Sequence, residues 1–381
     1  MSTTELEDAK QLEILTDSAV PVVSGSTVFS IADARRIVEP CFAREPHVYW
    51  VDLLVTAAIA YGFASAYLRA PVFSLEQSIY LLISGFALYR AGCFIHEVAH
   101  VGDEMPWFRA TWNVLCGIPM LMPSFFLESH VDHHKTDHYG TERDGQYLPL
   151  GCSPGYRILL LLAQVPLLPV CIFVRFLLSP LTFVHPRVRN WFLEHASSFV
   201  INFRHRLTIP PSAPRRVWAA LELACFVRAV VMLAVVVAGV YAPTRLVEIY
   251  VLAVLVVGLN YNRSLVAHHY RNRGDEMTPE QQLEDSVTIK GFGPVTALFL
   301  PLGLRYHALH HMLPTLPYHN LAWAHWRLMQ QLPPESPYHA TVYRSCWHVL
   351  AELWADAREA GAASGAGESP RGPQSVGLGR M

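Results

Sequence analysis

Eight histidines fall into three short groups with regular spacing. The groups are HEVAH (His96 and His100), HVDHH (His130, His133 and His134) and HALHH (His307, His310 and His311). On a helix, positions i, i+3 and i+4 share one face, with about 5–6 Å between them. Each HxxHH group is therefore predicted to aim three imidazoles at one point, and the HxxxH group to aim two. Imidazole is the commonest metal ligand among side chains, so the pattern indicates metal binding.

A ninth candidate, His268, directly follows an apolar stretch in LVAHHY, with His269 beside it as the alternative. Nine imidazoles are too many for one ion, so the set predicts two metal ions. Imidazole suits Zn, Cu, Fe and Ni, and a closed zinc site usually includes Cys, which these groups lack. Iron is favoured, because two irons with open positions beside a membrane suit O2 activation against a lipid-soluble substrate. His138 is a candidate for orienting one of the metal-binding rings.

Two other kinds of protein remain as remote alternatives. HEVAH matches the HExxH pattern of zinc metalloproteases, in which Glu97 would be the general base. That interpretation leaves HVDHH and HALHH unexplained. A metal transporter would need polar side chains at mid-membrane, for which Glu222 and Arg228 are the only hint.

The composition indicates which elements must position the histidines. Charged residues make up 16% and hydrophobic residues 52%, whereas soluble proteins carry about 25% charged residues. About 20 apolar residues span the hydrocarbon core of a bilayer, and four stretches have this length. They are residues 49–68, 78–95, 217–241 and 246–267. Short turns join them in pairs, which predicts two membrane hairpins.

Two further apolar stretches, 107–127 and 156–184, are interrupted by prolines and are predicted to lie in the membrane interface. The connection 185–216 carries six arginines and Glu194 as its only acid, which places it in the cytoplasm by the positive-inside rule. All histidine groups then face the cytoplasm. The predicted fold is an all-α integral membrane protein with about four transmembrane helices in two hairpins, interfacial helices and a cytosolic histidine-rich cap.

The remaining composition predicts the domain organisation. We expect a polar N-terminal region (1–45), a membrane domain (46–325), an amphipathic C-terminal helical region (326–360) and a disordered tail (361–381). The amphipathic helix is expected over 341–360, with Trp347, Leu350, Leu353 and Trp354 on its apolar face. The seven scattered cysteines fit isolated thiols, and the net charge of −2 argues against a nucleic-acid partner.

HEVAH, HVDHH and HALHH, in this order between two hydrophobic hairpins, resemble the three histidine boxes of the membrane fatty acid desaturase superfamily. The resemblance covers roughly residues 45–325. It includes YGTERDGQYLPL after the second box, LVAHHYRNRGDEMTPEQQLEDSV before the third and HHMLPTLPYHNL after it, all similar to bacterial members. It implies a non-haem di-iron centre with O2 as co-substrate, in the bacterial inner membrane. The nine histidines named above would be its ligands, with His268 as the extra histidine before the third box.

The sequence departs from the superfamily pattern at one position. Some relatives carry an Asn four residues before the extra histidine, where it reaches the metal through water, whereas this chain has Ser264. Asn260 and Asn262 are nearby. We therefore expect Ser264, Asn262, His138 and His269 to surround the ligands. The chain also lacks the HPGG motif of a fused cytochrome b5, so the resemblance implies a separate donor of the ferredoxin, rubredoxin or cytochrome b5 type with its reductase.

The resemblance implies that the substrate is an acyl chain, carried by a lipid, CoA or acyl-carrier protein. The leading expectation is desaturation, which introduces a C=C bond. The same boxes serve hydroxylases, acetylenases and carotenoid-modifying oxygenases, because return of oxygen to the carbon radical competes with loss of a second hydrogen. These activities are the alternative.

Overall fold

The computed structural model describes residues 29–101, 104–198, 201–291 and 293–365. Most of the predicted polar region 1–45 and most of the predicted tail 361–381 lie outside these ranges. Two strands, β1 (Thr288–Ile289) and β2 (Val342–Tyr343), pair in parallel. The α-helices are α1 (Ile31–Ile37), α2 (Pro46–Arg69), α3 (Leu75–Val101), α4 (Pro106–Trp112), α5 (Glu128–His133), α6 (Tyr156–Leu162), α7 (Leu168–Leu177), α8 (Ser179–Thr182), α9 (Pro186–His195), α10 (Arg215–Val237), α11 (Thr244–Leu265), α12 (Pro279–Asp285), α13 (Gly293–Phe299), α14 (His307–Met312), α15 (Leu321–Gln331), α16 (Pro337–Ala340) and α17 (Cys346–Gly365).

Four helices, α2, α3, α10 and α11, are long and apolar enough to cross a membrane. They contain 22 to 27 residues, so each exceeds the hydrocarbon thickness of about 30 Å. The prediction of an all-α integral membrane protein with four spans is confirmed. Helix α3 continues past its predicted end at residue 95 to Val101, which places both histidines of HEVAH on the last two turns of a span.

The proline-interrupted stretches form short helices. In the described residues between α3 and α10, the longest apolar helix is α7, whose 10 residues cover about 15 Å, half of a bilayer core. Helix α7 packs against both α10 and α11. Around it, large apolar side chains are exposed, as the interfacial interpretation expects. They include Tyr156, Leu159, Leu160, Leu167, Val170, Val174, Leu178, Leu181, Phe183 and Val184.

A buried ion network holds α7 in place. Arg175 of α7 and Arg189 of α9 both donate to the Glu222 carboxylate of α10, at 2.7 and 2.6 Å. Arg175 also donates to the Ser179 and Ser197 hydroxyls. The Glu222 side chain is 1% exposed. The carboxylate that hinted at a transport pathway is therefore part of an ion pair that joins three helices.

Replacing Glu222 by leucine should destabilise the protein by about 3–5 kcal/mol, because the buried Arg175 guanidinium loses its counter-charge. The measurement is thermal unfolding in detergent. Glu280→Gln, which changes an exposed acid, is the matched control. Unfolding of the Glu222 variant at the temperature of this control would contradict a stabilising role for the network.

The C-terminal helix α17 buries only part of the expected face. Val349, Leu353 and Ala357 are buried, whereas Trp347 is 80% exposed. Residues 347 and 349 lie about 200° apart around a helix, so they cannot share one face. The placement of Trp347 on the apolar face was wrong, and Trp354 is 40% exposed. Leu353 is buried and Leu350 packs against the core, as expected.

The predicted boundary at 325/326 falls inside α15, and one buried core runs across it. Leu328 of α15 and Val349 of α17 belong to the same core as Ala34 of α1 and Phe94 of α3. Helix α17 also extends over residues 361–365, the first part of the predicted tail. The C-terminal helices are thus packed against the membrane domain.

Candidate metal centre

The structure brings the nine predicted histidines into two clusters. Within each cluster, one nitrogen of every ring lies within 4.8 Å of all the others. The first, the five-histidine cluster, consists of His96, His100, His130, His134 and His310. The second, the four-histidine cluster, consists of His133, His268, His307 and His311. The arrangement provides two separate sets of nitrogen ligands, as expected for two metal ions.

Each HxxHH group contributes to both clusters, so the prediction that it aims three rings at one point was wrong. His130 and His134 belong to the five-histidine cluster and His133 to the other. In HALHH the assignment is reversed, since His310 alone joins the five-histidine cluster. Positions i and i+4 lie about 40° apart around a helix, whereas i+3 and i+4 lie about 100° apart. The i and i+4 rings therefore share one cluster and the i+3 ring points to the other.

Buried apolar residues between the histidines anchor the helices that carry them. Val98 within HEVAH and both Ala308 and Leu309 within HALHH have no exposed surface. Helix α5 is preceded by the buried Phe125 and Phe126. Apolar residues and histidines thus alternate along each helix. The apolar residues lie in the core, and the rings point to the other face of the helix.

The spacing of ring nitrogens fits metal coordination. Neighbouring ligands at about 2.1 Å from a metal are about 3.0 Å apart in octahedral geometry and about 3.4 Å apart in tetrahedral geometry. The Nε2 atoms of His96 and His100 are buried and have no hydrogen-bond partner in the described residues. The Nε2 to Nε2 distances are 3.1 Å for His130–His134, 3.0 Å for His134–His310, 3.3 Å for His133–His268, 3.0 Å for His268–His307 and 3.1 Å for His307–His311.

Burial favours the neutral form of six of the nine rings, which is the form that binds a metal. Burial, and then the positive charge that neighbouring rings would carry, lowers the pKa of six of them well below the usual value. These are His130, His134, His268, His307, His310 and His311. Neutral imidazoles keep a lone pair for a metal at neutral pH.

A cavity of about 320 Å³ borders both clusters. Its wall includes rings of the five-histidine cluster (His96 and His130) and of the four-histidine cluster (His133, His268 and His307). Apolar side chains form much of the remaining wall, among them Met120, Met122, Leu168, Ile172, Val256 and Val257. A hydrocarbon chain in this cavity would lie beside the two clusters.

The zinc protease alternative does not fit this geometry. The Glu97 carboxylate accepts a hydrogen bond from the Tyr49 hydroxyl of α2 at 3.2 Å, and Glu97 is not among the grouped ligands. Both histidines of HEVAH instead join three further histidines from other elements. A single HExxH site accounts for none of these three.

Comparison with known proteins identifies the family of this chain. The family model described as fatty acid desaturase matches residues 77–343, more than half of the chain. The chain belongs to the fatty acid desaturase family. A ceramide hydroxylase of Caulobacter vibrioides (strain NA1000 / CB15N) is 36% identical over 347 residues, which cover 88% of this chain and 96% of the relative. The family expected from the histidine boxes is confirmed, and the protein is a membrane oxidoreductase of the fatty acid desaturase family.

In this fatty acid desaturase family member, the Asp144 carboxylate fixes one ring of the four-histidine cluster. Its Oδ2 lies 2.7 Å from Nδ1 of His133, which leaves Nε2 to face the cluster. The same oxygen accepts from the Gly140 amide and Oδ1 accepts from the Gln146 amide. Asp144 is fully buried, and its hydrogen bonds to the two amides fix the carboxylate. The fixed carboxylate holds His133 in one tautomer and one orientation.

A second series of hydrogen bonds fixes the ring of His268. Nδ1 of His268 lies 2.7 Å from the Tyr139 hydroxyl, which donates to Asp285 at 2.8 Å. Burial raises the pKa of Tyr139 well above its usual range, so the hydroxyl keeps its proton. Burial also raises the pKa of Asp285, while the hydrogen bonds from Tyr139 and Tyr147 lower it. These hydrogen bonds orient Nε2 of His268 towards His133 and His307.

Removing the Tyr139 hydroxyl with Tyr139→Phe should weaken metal binding at the four-histidine cluster about tenfold, because Nδ1 of His268 loses its partner. Metal content after dialysis against graded chelator measures the effect. Tyr250→Phe removes a hydroxyl that bonds Pro166 O on the exposed side of α11 and is the control. Equal metal retention in both variants would contradict the orienting role.

The sequence did not identify Asp144, Tyr139 or Asp285 individually. All three lie within the segments after the second box and before the third that resemble bacterial members. The resemblance of those segments to bacterial members was the signal in the sequence that could have identified these residues.

Of the four residues expected around the ligands, Ser264 borders the cavity. Asn262 is exposed and donates to Gly258 O. His269 contacts the Tyr343 hydroxyl at 3.4 Å, and His138 lies 3.8 Å from Asp137. The structure thus directs these three side chains to partners other than the clustered rings.

Proposed function

We propose that the protein is an O2-dependent di-iron hydroxylase that inserts one oxygen atom into a C–H bond of a ceramide. The observation that carries the proposal is the similarity to a ceramide hydroxylase along nearly the whole of both chains. The balanced reaction is R–H + O2 + two electrons + two protons → R–OH + H2O. A cavity that combines apolar walls with both histidine clusters supports a hydrocarbon substrate.

Desaturation, the leading expectation from the sequence, becomes the second candidate. Both reactions begin with removal of one hydrogen atom from a methylene, and they differ in the second step, which is either oxygen return or loss of another hydrogen. The similarity to a hydroxylase favours the alternative over the original expectation. The family model keeps desaturation under test, because its description names that activity.

The nine clustered histidines are proposed to hold two iron ions, the metal that the donor set and a lipid-soluble substrate favour. When bound, these ions supply the activation of O2. The protein contributes orientation and exclusion of water. Asp144 and Tyr139 hold the rings of His133 and His268, and the apolar wall positions the methylene.

Electrons are proposed to come from a separate donor of the ferredoxin, rubredoxin or cytochrome b5 type with its reductase. The arginines of 185–216 support a cytoplasmic location for this connection and for the clusters, in a bacterial inner membrane. The donor would then dock on the cytoplasmic side.

The test is expression in a bacterial host that is supplied with ceramide, with mass spectrometry of total lipids under isotopically heavy O2 as the measurement. Ceramide that gains one heavy oxygen atom supports the proposal. Ceramide that loses two hydrogens identifies a desaturase. Unchanged ceramide from iron-loaded protein with a working electron donor would exclude both activities on this substrate.

A further inference from the structure

A group of hydrogen-bond donors lies in the cavity wall beside the histidine clusters. The last turns of α11 contribute Asn260, Arg263 and Ser264 to this wall, and we refer to these residues as the donor patch. Nε of Arg263 donates to Oδ1 of Asn260 and Nη2 donates to Oγ of Ser264, both at 3.2 Å. Polar side chains in the cavity wall are unexpected if the cavity binds a plain hydrocarbon.

The charge of Arg263 has no counter-charge among the described residues. Arg90, Arg175, Arg189 and Arg245 each form an ion pair with an acid. In contrast, the hydrogen-bond partners of Arg263 in the described chain are neutral, and they leave its Nη1 unused. A half-buried guanidinium is unfavourable unless its donors are satisfied, so the cavity favours a ligand that carries an oxygen acceptor.

The donor patch lies close to both clusters. The cavity wall that contains Asn260, Arg263 and Ser264 also contains rings of three clustered histidines, His130, His268 and His307. These rings come from both clusters, and His268 follows Ser264 by four residues, just beyond the end of α11 at Leu265. An acceptor bound to Arg263 would therefore share one cavity with the carbon that reacts at the clusters.

Building on the proposed function, we propose that Arg263 and Asn260 hold an oxygen of the polar end of the ceramide, so that hydroxylation takes place next to an oxygen-bearing carbon. The oxygen is either the amide carbonyl or a hydroxyl, which share the chemistry of a hydrogen-bond acceptor. The rest of the substrate extends along the apolar wall. The reaction is the balanced hydroxylation given above, and the new element is the choice of carbon.

The test compares Arg263→Met, Arg263→Lys and the control Arg216→Met, which removes an exposed cation outside the cavity. Three quantities are measured: iron content, retention of labelled ceramide by protein in phosphatidylcholine nanodiscs, and the position of the new hydroxyl from fragmentation of the product. A hydrogen bond to a charged group contributes enough that Arg263→Met should bind ceramide about tenfold more weakly. Its iron content should equal that of the wild type, and its hydroxyl should spread along the chain. Arg263→Lys should be intermediate.

The position of the hydroxyl in the wild-type product separates the two sources of the acceptor. A hydroxyl on the acyl chain beside the carbonyl identifies the amide carbonyl as the bound group. A hydroxyl on the long-chain base beside an existing hydroxyl identifies that hydroxyl. A hydroxyl in the middle of either chain overturns the inference and leaves the proposed function intact.

Binding separates failure of the inference from failure of the proposed function. Wild-type protein that binds ceramide through Arg263 but inserts no oxygen contradicts the proposed function and supports the binding role. If Arg263→Met loses iron or does not fold, the wild type is tested with ceramide and an alkane of matched length. Preference for ceramide of about tenfold is expected, and equal affinity overturns the inference.

Discussion

Replacing His268 by alanine is expected to remove the iron that we propose for the four-histidine cluster and to lower product formation at least about 100-fold. The cluster keeps three imidazoles, and one of them, His133, loses its neighbour at 3.3 Å. Replacing His100 leaves four imidazoles in the five-histidine cluster. We therefore expect His100→Ala to retain more iron than His268→Ala.

Iron per protein, measured by elemental analysis on purified protein in detergent, distinguishes the two variants. His47→Ala is the matched control, because the His47 side chain is 74% exposed and lies outside both clusters. Full iron content and full activity in His268→Ala would contradict the assignment of the four-histidine cluster. Zinc as the sole metal of active wild-type protein would contradict the choice of iron.

Replacing Asp144 by asparagine is the second change with a large expected effect. The two carboxylate oxygens face three donors, namely Nδ1 of His133 and the amides of Gly140 and Gln146. Asparagine has one acceptor oxygen, so its NH2 group must oppose at least one donor in a site with no exposed surface. We expect a loss of about 10–100-fold in metal affinity and in activity.

Chelator titration and turnover are measured on Asp144→Asn together with Asp137→Asn. Asp137→Asn is the matched control, because it makes the same chemical change at a side chain that is 62% exposed. Activity and metal affinity in Asp144→Asn within twofold of this control would show that His133 needs no anionic partner. The turnover measurement also applies to desaturation, so the result does not depend on which product forms.

The spans and the nine clustered histidines were accessible from the sequence because both are local patterns. Hydrophobic length identifies α2, α3, α10 and α11, and HxxHH spacing identifies short helices that present imidazoles. Composition likewise identified α7 and its neighbours as apolar segments too interrupted to span.

The residues that hydrogen-bond to the clustered histidines could not be predicted from the sequence, because tertiary contacts bring them together. Asp285 reaches the Tyr139 hydroxyl across 146 positions of sequence, and no spacing rule connects them. The division of HVDHH between two clusters also depends on where α3 and α14 lie around α5. The core that runs across 325/326 could not be predicted for the same reason, since Leu328 packs into a core built from distant segments.

The helices α5 and α14 are each shared between the two sets of nitrogen ligands, and this links the sites mechanically. A rotation of α5 would move His130, His133 and His134 together, so a change that improves the fit of an ion in one cluster would also alter the other cluster. Uptake of a first ion would fix both helices, which would leave less conformational entropy to be lost when a second ion binds. The separation of two ions bound in the clusters would then be linked to the spacing of the rings on α5 and α14, and binding of one ion would favour binding of the other.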